Sequence, residues 1–149
     1  MKDRIVSDST CLIGLERIGR LDILSALFEK VIVPSEVSRE FGGTFDWLET
    51  SKIRDRTLCS LLQLVVDSGE AEAIVLASEL HLKLITDDKQ ARAVAKQIGV
   101  EVIGTVGILI NAKRAGLLNE LRPMLDELER NEFFISKKLR NEALSIVGE

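Results

Sequence analysis

Short apolar or β-branched runs recur along the chain at residues 5–6, 31–33, 82–85 and 100–103. Each is followed by a stretch in which apolar residues return every three or four positions. That alternation predicts strands that each lead into helix. The helical stretches run over residues 12–18, 21–28, 34–41, 70–80, 89–98 and 106–115, with Gly19, Gly42, Gly99 and Gly116 at their ends and Pro34 near a start. The strands are short and nearly continuous in Val, Ile and Leu, which suits a parallel sheet covered on both faces. The fold class expected is therefore an open α/β sandwich with a central parallel sheet.

Two regions depart from that rhythm. Residues 44–68 hold Trp47 among mixed charges and then the spacing Leu58, Leu61, Leu62, Val65, which predicts an edge element followed by an amphipathic helix. After Gly116 come two further helical stretches, 119–130 and 136–147, joined by residues 131–135, with Pro123 early enough to be tolerated in a first turn. Residues 1–149 are expected to form one domain, with a core over about 4–116 and a helical addition over about 117–149. No repeat or low-complexity linker interrupts it.

Composition narrows the function classes. The 149 residues are 46% hydrophobic and 30% charged, enough for a real core. No apolar run reaches the ~18 residues of a membrane span, and the N-terminus lacks a signal-peptide pattern, so a cytoplasmic protein is expected. Cys11 and Cys59 have no CxxC or His partner nearby and read as reduced core thiols. A net charge of −4 argues against a generic basic nucleic-acid coat but leaves room for a nucleic-acid enzyme with a local positive rim. Aromatic residues make up only 4% of the chain, with no Tyr, so a base-stacking platform is not expected. The single histidine, His81, falls at the far end of its helix and reads as a solvated ring.

The acids are more informative. Asp8 follows the first strand, Glu36 the second, and Asp87 and Asp88 the run ending at Ile85-Thr86. All stand at the carboxyl ends of strands, where an open α/β sheet binds its ligand. Glu70 opens a helix on one stripe with Ile74, Ala77, Ser78 and His81, facing the core, while Glu72 is turned about 200° away and is expected to face outward. Each acid alone has an ordinary explanation as a helix cap, and Asp67 with Glu70 resembles a capping box. Gathered within about 6 Å, however, each pair would repel by about 3 kcal/mol at an effective dielectric of ~20. A divalent cation offsets such repulsion, and oxygen donors without a ligand-spaced His or Cys select Mg²⁺ or Mn²⁺ over Zn²⁺.

Other strand-end chemistries are disfavoured. A phosphatase built on an aspartate pair needs its second acid at position 10, which is Thr10. A receiver domain needs its acid pair after the first strand, and a dinucleotide binder needs GxGxxG there; DSTCLIGL has neither.

Taken in order, Asp8, Pro34-x-Glu36-Val37, Gly69-Glu70-Ala71-Glu72-Ala73-Ile74, Thr86-Asp87-Asp88 and Gly104-Thr105 resemble the PIN-domain nucleases over residues 4–116. Within these the chain is most similar to the small prokaryotic branch related to the ribonuclease toxins of toxin–antitoxin pairs. The spacing from GEAEAI to TDDK, with Arg92 after it, is the most specific portion. The resemblance implies a Rossmann-like three-layer sandwich, three or four acids on one or two Mg²⁺ or Mn²⁺ ions, and hydrolysis of RNA phosphodiesters to leave a 5′-phosphate. Carried over residue by residue, the acids are Asp8, Glu36, Glu70 and Asp88, with Asp87 the alternative to Asp88 as a metal ligand and Glu72 the alternative to Glu70.

Thr10, Thr86 and Arg92 are the candidate substrate contacts. Arg92, four residues after Asp88, suits an i,i+4 ion pair as well as a phosphate contact, and Lys89 is open to the same two readings. Ser9 suits a helix cap, and Lys137-Lys138-Leu139-Arg140 a solvated helix face. The partners expected are RNA, a small antitoxin whose basic or aromatic side chains enter the acidic cleft, and a second copy of the chain. For the homodimer Leu12, Leu15, Leu24 and Leu27 supply an apolar face, unless they are buried in the domain itself. The competing expectation is a non-catalytic interaction module whose acids are structural caps.

Overall fold

Ile5 and Val6, adjacent on the first strand, enter opposite apolar clusters, because successive side chains of a strand leave on opposite faces. That strand, β1 (Asp3–Ser7), is the middle of a parallel sheet completed by β2 (Phe28–Val33), β3 (Leu48–Thr50), β4 (Leu84–Ile85) and β5 (Val102–Ile103). The strand order is β3-β2-β1-β4-β5. Ile5 is in register with Val31 and Val6 with Ile32 on one side, and Ser7 with Ile85 on the other. The sheet comes from a computed structural model that describes residues 2–149.

The helices are α1 (Ser9–Arg17), α2 (Asp22–Leu27), α3 (Ser35–Phe41), α4 (Arg56–Leu62), α5 (Ser68–Leu80), α6 (Lys89–Ile98), α7 (Thr105–Arg114), α8 (Arg122–Arg130) and α9 (Lys137–Ile146). Helices α1, α2, α7, α8 and α9 share a cluster with Ile5, Val31, Val33 and Ile85. Helices α4, α5 and α6 share the other with Val6, Ile32 and Leu84. The result is the three-layer α/β sandwich expected. The two C-terminal helices belong to the first cluster, through Leu125, Leu128, Ala143 and Leu144. Among the described residues no helix is long and apolar enough to cross a membrane.

The edge element expected around Trp47 is present, and burial decides two further points. The edge element around Trp47 is a three-residue strand, β3, joined to β2 from Val31 to Leu48; Trp47 stacks on Phe45 at 5.1 Å between ring centres. In α4 and the turn after it only Leu62 of the apolar set is buried, and Leu61 and Val65 are exposed. Leu12, Leu15 and Leu24 are fully buried within the chain, so they offer no face to a second copy. Both cysteines are buried free thiols.

Candidate active site

Strand order reverses at β1: β2 and β3 lie to one side, β4 and β5 to the other. The crevice of such a sheet opens beyond the carboxyl ends of the strands that flank the reversal, here Ser7 and Ile85. The Asp8 N–H donates to the Ile85 carbonyl at 3.0 Å, which ties the first residue after β1 to the end of β4. Asp8 then stands at the N-cap of α1, yet its side chain caps nothing. It is only 2% exposed, and neither carboxylate oxygen meets a partner in full hydrogen-bonding geometry. Burial is the main cause that pushes its pKa up to about 7. Thr86 and the backbone at Cys11 and Thr10 favour the ionised form, and the Asp87 charge works against it.

The neighbouring acids are engaged in different ways. Asp87 is bound at both oxygens, accepting from the Thr105 N–H at 2.8 Å and the Thr105 hydroxyl at 2.5 Å, and so fixes the start of α7 to the end of β4. This close approach requires Gly104, where an added Cβ would stand 2.8 Å from Asp87 Oδ1. Asp88 caps α6 through Oδ1, which accepts from Ala91 N–H at 2.7 Å, and its own N–H donates to the Thr86 hydroxyl at 3.3 Å. Glu70 sits in the first turn of α5, whose N-cap is Asp67, accepting from Glu70 N–H at 3.0 Å. Burial first, then the charges of Asp67, Asp88 and Asp8, push the Glu70 pKa up to about 7. Asp8 thus feels the charge of Asp87, and Glu70 those of Asp67, Asp88 and Asp8. Glu70, Asp87, Asp88 and Thr10 line a cleft of about 410 Å³, whose other residues include Arg17, Phe133 and Phe134.

Glu36 is placed differently. Its carboxylate pairs with Arg39 one turn along α3, and its N–H donates to Glu72 Oε1 at 3.1 Å. Glu72 does not face outward: its side chain is 13% exposed and lies 3.6 Å from Arg56. One turn beyond Glu36, Glu40 Oε2 accepts from the Ser9 hydroxyl at 2.7 Å, and Glu40 Oε1 is 2.8 Å from where a Cβ on Gly69 would stand. Glu40 therefore joins the starts of α1 and α5, and Ser9 serves it rather than capping its own helix. The sequence offered one signal for Glu40, its spacing of three from the buried Val37. Arg92 does not pair with Asp88; its guanidinium donates to the Thr86 carbonyl at 3.1 Å.

Among the described residues no three His, Cys, Asp or Glu side chains stand in position to hold a metal ion as they are. The donor chemistry nevertheless fits a hard divalent cation. The acids supply oxygen alone, the buried Asp8 carboxylate has both oxygens free, and burial, the largest effect on the Cys11 thiol, raises its pKa and removes it as a soft ligand.

A family model described as DUF3368: PIN domain matches residues 4–149. No curated protein matches the chain.

Proposed function

The chain belongs to the PIN-domain family, and on that premise we propose that it is a Mg²⁺- or Mn²⁺-dependent ribonuclease that hydrolyses RNA phosphodiester bonds beside Asp8. The observation that carries this reading is the Asp8 side chain: buried, capping no helix, with both oxygens unpartnered. An unpaired charge in that position costs several kcal/mol, and the Thr10 and Cys11 amides beside it favour its ionised form without reaching capping geometry.

Asp8, Glu70 and Asp88 would hold the ion, with Glu40 as the acid at the neighbouring helix start. The chemistry an ion supplies there is polarisation of the phosphate and a more acidic water for in-line attack, which leaves a 5′-phosphate. The chain's own residues do the rest. Asp87 spends both oxygens on Thr105 and acts as a positioning residue. Arg92, through the Thr86 carbonyl, steadies the turn that carries Asp87 and Asp88. Thr10 and Arg17 on the cleft wall are the polar groups offered to a phosphate chain.

A finer proposal is that the chain is the toxin of a toxin–antitoxin pair, the antitoxin placing a basic or aromatic side chain in the same cleft; co-purification from native cells tests it. A non-catalytic module is the second reading, favoured by the capping bonds of Asp67 and Asp88. The two readings separate on one assay. Purified protein with Mn²⁺ is incubated with unstructured and structured RNA beside Asp8→Asn protein of unchanged circular dichroism. Cleavage reduced at least about 100-fold in the variant supports the nuclease; equal cleavage by both places the activity elsewhere.

A further inference from the structure

Residues 131–135 join α8 to α9 and run along the cleft. Both ends are anchored. Arg17 donates to the Asn131 carbonyl at 3.3 Å, the Asn131 side chain donates to the Glu127 carbonyl at 2.9 Å, and Ile135 is buried. Between the anchors Glu132 takes φ +67°, in the left-handed region that side chains other than Gly, Asn and Asp rarely occupy. Two adjacent aromatics follow Glu132 and part company. Phe133 packs on α1 at Gly14, where a Cβ would come within 3.1 Å of its ring. Phe134 is left 87% exposed, the most exposed of the large apolar side chains among the described residues. Both line the cleft that holds Glu70, Asp87 and Asp88.

A lone exposed Phe is ordinary on a protein surface. This one follows a strained residue between two anchors, in a cleft that also holds the carboxylates of Glu70, Asp87 and Asp88. Its ring has no aromatic partner: the aromatic pairs among the described residues are Phe41 with Phe45 and Phe45 with Trp47. A ligand that satisfies both the ring and the acids needs a flat apolar face and an anionic group that reaches carboxylates through a cation. A nucleotide has both.

We infer that Phe134 is a substrate-binding residue that stacks on an unpaired base next to the phosphate cut in the cleft. The inference rests on the ribonuclease reading, because only that reading puts a phosphodiester among the acids. Stacking on one aromatic ring tolerates any base, so Phe134 supplies affinity and register without choosing a sequence. The low aromatic content of the chain pointed away from such a contact; one ring in the right place is sufficient for it.

Wild type, Phe134→Ala, Phe134→Leu and Phe134→Trp, matched by circular dichroism, are compared on a single-stranded RNA carrying 2-aminopurine. Steady-state cleavage with Mn²⁺ is measured, together with fluorescence quenching by stopped flow before cleavage. The expected result is a KM about tenfold higher for Phe134→Ala and Phe134→Leu, the loss of one stacked base, with kcat within about twofold and the quench reduced. Phe134→Trp keeps both near wild type. Wild-type KM and quench in Phe134→Ala, with nuclease activity intact, would overturn the inference and leave the ribonuclease reading standing. The same result with an altered sedimentation coefficient would assign the ring to a protein contact and also overturn it. A wild-type protein that cuts no RNA would remove both.

Discussion

The Ser9 hydroxyl and the Glu40 carboxylate meet at 2.7 Å, linking the helix after the central strand to the helix after its neighbour. Glu36, one turn earlier, instead holds Arg39. Changing Glu40 to Gln is therefore expected to lower kcat/KM by tenfold or more, whereas Glu36→Ala leaves it within about twofold. Because the Glu36–Arg39 pair is partly exposed, its loss is expected to cost no more than about 1 kcal/mol. Cleavage kinetics and urea unfolding on the two variants decide the matter; equal activity losses would place Glu36 in the site as well.

Asp88 serves two purposes that one pair of substitutions separates. Asn caps a helix about as well as Asp, whereas Ala loses the bond to Ala91 at a cost of about 1 kcal/mol. Asp88→Asn should keep wild-type stability and lose most activity. Asp88→Ala should lose both. An active Asp88→Asn enzyme would reduce Asp88 to a cap.

Asp87 is expected to behave in the opposite sense. Its removal leaves the Thr105 amide and hydroxyl, at a fully buried residue, without their partner, which costs about 1–3 kcal/mol. Asp87→Ala should lower Tm by several degrees, and Thr105→Val by less because the backbone bond survives. Thermal unfolding measures both, and an unchanged Tm in Asp87→Ala would deny the α7 anchor.

Stability of the metal-free protein should depend on pH through Asp8. Its pKa stands near 7 in the fold against the ordinary 3.8, so the folded state binds the proton more tightly than the unfolded chain does. Stability is then greatest below about pH 4 for this group and falls as pH rises through 7. Glu70, raised from 4.5 to about 7, adds in the same direction, reduced by its exposure to solvent. Urea unfolding in EDTA from pH 4 to 8 should show the decline, and Asp8→Asn should flatten it. A wild-type profile as flat as that of the variant would contradict a buried, uncompensated carboxylate.

Much of this was legible in the residues. Runs of Val, Ile and Leu gave away the central strands because the part of a strand buried on both faces needs successive apolar side chains, and Ile5-Val6 of β1, Val31-Ile32-Val33 of β2 and Leu84-Ile85 of β4 supply them. Asp8, Glu70, Asp87 and Asp88 were visible because strand ends and helix starts fix where a side chain begins. The sequence says least where depth or rotation decides. Glu36 and Glu40 lie four apart on one stripe of α3, so periodicity cannot say which meets α1; that contact is made by Ser9, 31 positions from Glu40 along the chain. Glu72 was expected outward on the assumption that α5 has a wet side, but Ala71, Ala73, Ile74, Val75, Leu76 and Ala77 are all buried and Arg56 of α4 covers Glu72. The Phe133–Phe134 rim depends on a left-handed Glu132, a conformation that a glutamate does not announce.

Calorimetric titration of the metal-free protein with Mn²⁺ at pH 8, where Asp8 and Glu70 are ionised, tests the central claim most directly. Saturable binding in the wild type, weakened at least about tenfold in Asp8→Asn and progressively lost as the pH is lowered to 5, is the result predicted. Absence of binding in the wild type, or equal binding by the variant, would contradict it.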